Sequence, residues 1–107
     1  MTEIKYTRYP KVSLSVEGHC MAKRDNGIDL CCAAVSMLVC TLLQRVEELP
    51  LSSKALYCSD GYARVEFDCR GRNSRQGIEA LNTILTGFRL LRDKYPDNIK
   101  ITGGRNE

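Results

Sequence analysis

The sequence predicts an α+β fold, an antiparallel or mixed sheet with two helices packed on one face, in the order strand or hairpin, helix, strand, strand, helix, strand. Three observations predict it. Val12, Leu14 and Val16 alternate with Ser13, Ser15 and Glu17, the period-2 pattern of a half-buried strand. Two later stretches, about 29–47 and about 74–95, repeat apolar residues at threes and fours, as a helix face does. Between them Asp60-Gly61 separates two short strand-like runs, a strong signal for a tight hairpin.

The elements follow in order. Residues 4–9 alternate polar and aromatic side chains before Pro10, which suits a turn or an edge, so residues 3–17 read as a hairpin or one bent strand. Gly18 ends that strand and leaves His19 at its terminus. Residues 20–28 are polar through the middle and hold the turn pair Asn26-Gly27, a connecting loop able to gate a site. From Asp29 a helix places Leu30, Ala34, Met37, Leu38, Thr41 and Leu42 on one side, with Val35, Val39, Leu43 and Val46 carrying apolar character to the other. A helix this apolar is expected to be covered on more than one face, so a homodimer is expected. Residues 53–58 and 61–69 read as strands. Asn73 with Gln76 has capping-box spacing, with Ser74 an equal candidate cap. Ile78, Leu81, Ile84, Leu85, Phe88 and Leu91 then mark the second helix, Pro96 ends it, and Ile99 and Ile101 mark a last strand.

At 107 residues the chain is expected to be one domain, 1–107, large enough to bury about two-thirds of its unfolded surface without cross-links. A net charge of +3 permits nucleic acid but falls short of the basicity of a phosphate-backbone binder, so nucleic acid is not required. Six cysteines, one adjacent pair and no CxxC do not make a disulfide scaffold. With no apolar leader and no run near the ~18 residues that span a bilayer, the expectation is a cytoplasmic protein with reduced thiols and no membrane partner.

The chemistry concentrates in Gly18-His19-Cys20 and in Asp29-Leu30-Cys31-Cys32. His19 is the only histidine, and imidazole is the side-chain type suited to act as a base near neutrality. Asp29 is suited to cap the following helix by accepting from the amide of residue 31 or 32. Either cysteine then sits in a first turn, where unpaired amides and the helix dipole favour a thiolate. A thiol with a base in reach is the arrangement of nucleophilic catalysis. Cys40, Cys58 and Cys69 read as small buried hydrophobes. The four-group set His19, Cys20, Cys31 and Cys32 lacks the paired spacing of a zinc site, so no metal and no cofactor are expected.

A rival reading is an RNA-binding module of RNA-recognition-motif type. Gly61, Tyr62, Ala63, Val65 and Phe67 resemble its RNP1 strand, but Arg64 stands where the central aromatic belongs and Asp60 where a basic residue leads. Ser13 likewise occupies the stacking position of the first strand. A scaffold without catalysis is a third option.

Gly18-His19, then Gly27, then Asp29-Leu30-Cys31-Cys32-Ala33-Ala34-Val35-Ser36 resemble the signature of the ribosomal-processing cysteine proteases called Prp, and length and element order agree with that family over most of the chain. The resemblance implies a single cysteine protease domain that forms homodimers and trims the N-terminal extension of bacterial large-subunit ribosomal protein twenty-seven. It also implies that Cys32, which precedes Ala33-Ala34-Val35-Ser36, is the nucleophile and His19 the base. Periodicity does not separate Cys31 from Cys32, so that assignment rests on the resemblance. Cys31 stands where the family has valine, Cys20 where it has alanine, and the loop is one residue longer than in some members. On this reading the free amides of the Asp29 helix start, together with that of Gly18, hold the oxyanion. Asp29 serves as cap rather than third catalytic member. Ser36, one turn beyond Cys32, bonds near the site or back to a helix carbonyl. Lys23, Arg24, Asp25, Asn26 and Gly27 close over an extended substrate.

Overall fold

The structure is a computed structural model that describes residues 1–21 and 28–103. Five strands and two helices run β1 (Thr2–Thr7), β2 (Lys11–Glu17), α1 (Leu30–Glu48), β3 (Ala55–Ser59), β4 (Tyr62–Asp68), α2 (Ser74–Lys94) and β5 (Ile99–Thr102). The sheet order is β3-β4-β2-β1-β5, antiparallel except where β5 runs parallel to β1. The sheet is therefore mixed, and residues 3–17 form a hairpin rather than one bent strand.

Alternation decides which face is covered. In register, Ile4 faces Val16 and Tyr6 faces Leu14 across β1 and β2, while Val12, Leu14 and Val16 face Phe67, Val65 and Ala63 across β2 and β4. All of these are buried, and the residues between them, such as Lys5, Ser13 and Arg64, lie on the open face. Both helices pack on the apolar face. From α1 come Cys31, Val35, Val39, Leu42 and Val46, and from α2 Leu81, Ile84, Leu85 and Phe88. Each such apolar side chain removed from water contributes about 1.5–3 kcal/mol. The helices approach closely at Gly87, where an added Cβ would lie 2.8 Å from Leu38 Cδ2.

Several details depart from expectation. The buried stripe of α1 takes Val35, Val39 and Val46 from one of its two expected apolar sides and Leu42 from the other, and Leu30 and Met37 are exposed at 49% and 67%. Cys40 and Cys58 are exposed rather than buried, because Cys40 lies off the Cys31-Val35-Val39-Leu42-Val46 stripe and Cys58 sits on the sheet's edge strand. Asn73 occupies the N-cap of α2 but makes no side-chain cap bond; its amide nitrogen instead donates to Pro50 O at 3.4 Å. By length and hydropathy α1 would pass for a membrane-crossing helix, against the expectation from the sequence, since its charges gather at its end in Arg45, Glu47 and Glu48. In this fold its apolar stripe packs into the core instead.

Candidate active site

The site lies where the β2 terminus, the β3–β4 turn and the first turns of α1 converge. Val16 is the last buried residue of β2, and Gly18 then adopts φ +93, a conformation that suits glycine. A side chain there would collide with Met1 O. The Gly18 amide, expected to face the oxyanion, donates instead to Gly61 O at 2.8 Å in this arrangement. That bond ties the end of β2 to the hairpin turn, where Gly61 itself has φ +79. The tie delivers His19 across the turn. Its exposed ring lies over Gly61, Nε2 being 3.1 Å from where a Cβ would stand.

Opposite, Asp29 caps α1. Its Oδ1 accepts from the Cys32 amide at 3.0 Å and its carbonyl from the Ala33 amide at 3.0 Å. The cap is the one expected from the sequence, and it leaves neither of these two amides free for an oxyanion. The donor that does face the Cys32 sulfur comes from elsewhere: the Cys20 amide lies 3.2 Å from Sγ. Cys20 is held in turn by Asn98, whose Nδ2 donates to Cys20 O at 2.9 Å and whose own carbonyl accepts from the Thr2 amide at 2.9 Å. Sequence reasoning missed Asn98. It sits 78 positions from Cys20 in a polar turn, and no local pattern signals such a bond.

His19 and Cys32 line one cavity of about 340 Å³. Val16, Val35, Val39 and Ala63 give it apolar walls, and Ser36 lines it as well. Among the described residues no hydrogen bond joins the His19 ring to the Cys32 sulfur. Ser36 makes no bond back to a helix carbonyl among them either, whereas Thr41, Thr83 and Thr86 do. Lys23, Arg24, Asp25, Asn26 and Gly27, the expected substrate loop, lie outside the described residues.

The electrostatics at the helix start work in opposing directions. Burial pushes the Cys32 thiol above its ordinary value, outweighing the Cys20 amide that pulls it down. Cys31 is raised further, again chiefly by burial and then by the Cys20 thiol beside it. A raised thiol forms its thiolate less readily, so a neighbouring base that takes the proton gains importance. The Cys31 side chain is fully buried in the core and does not line the cavity, which separates the two cysteines in a way periodicity does not.

The sequence matches the family model of the cysteine protease Prp over residues 1–100. The chain belongs to the Prp cysteine protease family. This Prp-family fold also resembles solved structures. The ribosomal processing protease Prp of Staphylococcus aureus, in complex with a covalently linked product peptide, superposes with a TM-score of 0.77 at 19% identity, covering 96% of this chain and 99% of that one. The same protease in complex with a substrate peptide gives 0.76 at 18%, with the same coverage. A protein of Streptococcus mutans gives 0.69 at 22%, covering 96% and 93%. Among curated proteins none matches the chain. As a Prp-family member the chain is a cysteine protease, and the α+β fold expected from its sequence is the fold it has.

The RNA-binding alternative finds little support in the same strand. Ala63, Val65 and Phe67, which carry most of the RNP1 resemblance, are core residues. Tyr62, Arg64 and Glu66 occupy the other face, with Arg64 ion-paired to Glu66, so the strand offers one ring where a base-stacking platform needs more.

Proposed function

We propose that this protein is an endopeptidase that removes the N-terminal extension of bacterial large-subunit ribosomal protein twenty-seven, with Cys32 as nucleophile and His19 as general base and acid. The observation that carries the reading is the position of His19 and Cys32 on the wall of one apolar cavity, in a chain of the Prp family. The Staphylococcus aureus Prp structures, with a substrate peptide and with a covalently linked product peptide, support a peptide substrate and a covalent intermediate here.

The first step is transfer of the Cys32 thiol proton to His19 as an extended peptide fills the cavity and excludes water. The thiolate attacks the scissile carbonyl. The Cys20 amide, aimed at the sulfur before attack, turns to the oxygen that becomes negative, a role worth about 3–4 kcal/mol for a donor of this kind. His19 returns the proton to the leaving amine, then activates the water that releases the acyl group. Asp29 keeps the helix start in register, and Ser36 offers its hydroxyl to substrate across the cavity. Lys23, Arg24, Asp25, Asn26 and Gly27 cover the bound segment.

The whole chain serves as one protease domain. Two copies pair through α1, whose exposed Leu30 and Met37 support burial against a second apolar surface. The cytosol is its compartment, where its six free thiols stay reduced. Incubation with a peptide spanning the extension junction tests the reading. Cleavage at the junction is expected, and cleavage that survives Cys32→Ala or His19→Ala rejects the dyad.

A further inference from the structure

Three thiols meet at the front of α1, and the reaction above uses one. Cys20 is fully buried, with its sulfur 3.3 Å from Thr2 Oγ1 on one side and in side-chain contact with Cys31 and Cys32 on the other. Its amide nitrogen is 3.2 Å from Cys32 Sγ, so its Cα lies only one N–Cα bond, about 1.5 Å, beyond that contact. The two residues are thus close neighbours, within the reach of a disulfide. Neither of the other cysteines on α1 offers it. Cys31 and Cys32 diverge by about 100° as helix neighbours, and Cys40 lies about 12 Å further along the axis.

The geometry points to Cys20 as a resolving thiol that forms a disulfide with Cys32 when a hydroperoxide reaches the cavity. The inference rests on Cys32 being the reactive sulfur of the proposed protease. Access sets the order of events, since Cys32 lines the cavity and Cys20 has no exposed surface. With its proton passed to His19 on the same cavity wall, the Cys32 thiolate attacks the terminal oxygen of the peroxide. An S–O bond forms, the O–O bond breaks, the sulfur loses two electrons, and the departing oxygen takes a proton as water or an alcohol. The Cys20 sulfur then attacks the sulfenic sulfur. The S–S bond forms as the S–O bond breaks, and the hydroxide leaves as water with the Cys20 proton. The nucleophile is thereby parked in a form that a dithiol reductant restores, instead of climbing to the irreversible sulfinic acid.

The test treats the full chain with hydrogen peroxide, digests it with trypsin without reduction and weighs the peptides. Cross-linking of peptide 12–23, which carries Cys20, to peptide 25–45, which carries Cys32, is expected in the parent and in Cys31→Ala. It is expected to be absent in Cys20→Ala and Cys32→Ala. After dithiothreitol, the parent recovers most of its Cys32 alkylation, while Cys20→Ala recovers about fivefold less and carries two added oxygens on Cys32. Cys20→Ser, which keeps a small polar group against Thr2, gives the same outcome should the alanine variant fail to fold. A cross-link that persists in Cys32→Ala, a link from peptide 12–23 to the Cys58 peptide, or full recovery in Cys20→Ala overturns the inference. These readouts need no substrate. A cross-linking parent that cleaves no peptide would therefore sink the protease reading and leave this one standing.

Discussion

The two helices begin in opposite ways. At the start of α1, Asp29 turns its side chain inward to cap the Cys32 amide and leaves the thiol facing a cavity. At the start of α2, Asn73 makes no such cap; its side chain reaches Pro50, and the first turn is pressed into the sheet with Ser74 and Gly77 buried. An added Cβ at Gly77 would stand 2.7 Å from Phe67 Cζ, whereas at Gly61, beside the cavity, the close neighbour is the His19 ring. Helix starts of the same secondary structure are thus spent on different ends, one on holding reactive groups in an accessible space and the other on filling the core.

Substitutions that separate chemistry from packing probe this contrast. The largest effect is expected for Cys32→Ala and His19→Ala, each lowering kcat/KM for junction-peptide cleavage by about 10³-fold or more with the thermal midpoint nearly unchanged. Gly77→Ala is expected to do the reverse. It forces Phe67 aside and lowers stability by about 1–3 kcal/mol in urea, with cleavage per folded molecule preserved.

Asn98→Ala tests whether the Cys20 peptide must be held. The expected result is a fall of about tenfold in kcat with KM little changed, and an alkaline shift in the pH profile of Cys32 alkylation. A loss of stability alone, without the alkylation shift, would mark Asn98 as merely structural. Asp29→Ala compared with Asn73→Ala addresses the caps directly. The first is expected to cost about 1 kcal/mol and the second a fraction of that, with Asp29→Asn retaining most of the cap.

The smallest effect concerns pH. Cys31 is held far above the ordinary thiol range in the folded chain, so its contribution to stability is complete below the unfolded thiol value, about 8.5, and is lost as pH rises beyond it. Urea midpoints compared between pH 8 and pH 10 should fall more in the parent than in Cys31→Val.

Much of this molecule is legible locally. The alternation of Val12, Leu14 and Val16, the Asp60-Gly61 turn, and the stripe of Leu81, Ile84, Leu85 and Phe88 each report a periodicity that burial then enforces. The expected RNP1 likeness shows the limit of such patterns. The same alternation that builds a ring platform in one fold supplies core residues here, because it marks which residues share a face and not what that face meets.

By itself the sequence determined the element order, a histidine placed at a strand end ahead of a capped helix start that carries two adjacent cysteines, and, through its motif, the protease family. Only the tertiary structure decided that Cys31 is core and Cys32 faces the cavity, that the Gly18 amide is bound to Gly61, and that a Cys20 amide steadied by Asn98 is the donor on the sulfur. Periodicity and caps act within about a turn, so short stretches of chain encode them. Burial and long-range hydrogen bonds depend on which surfaces come together, and that exists only once the sheet and helices have packed.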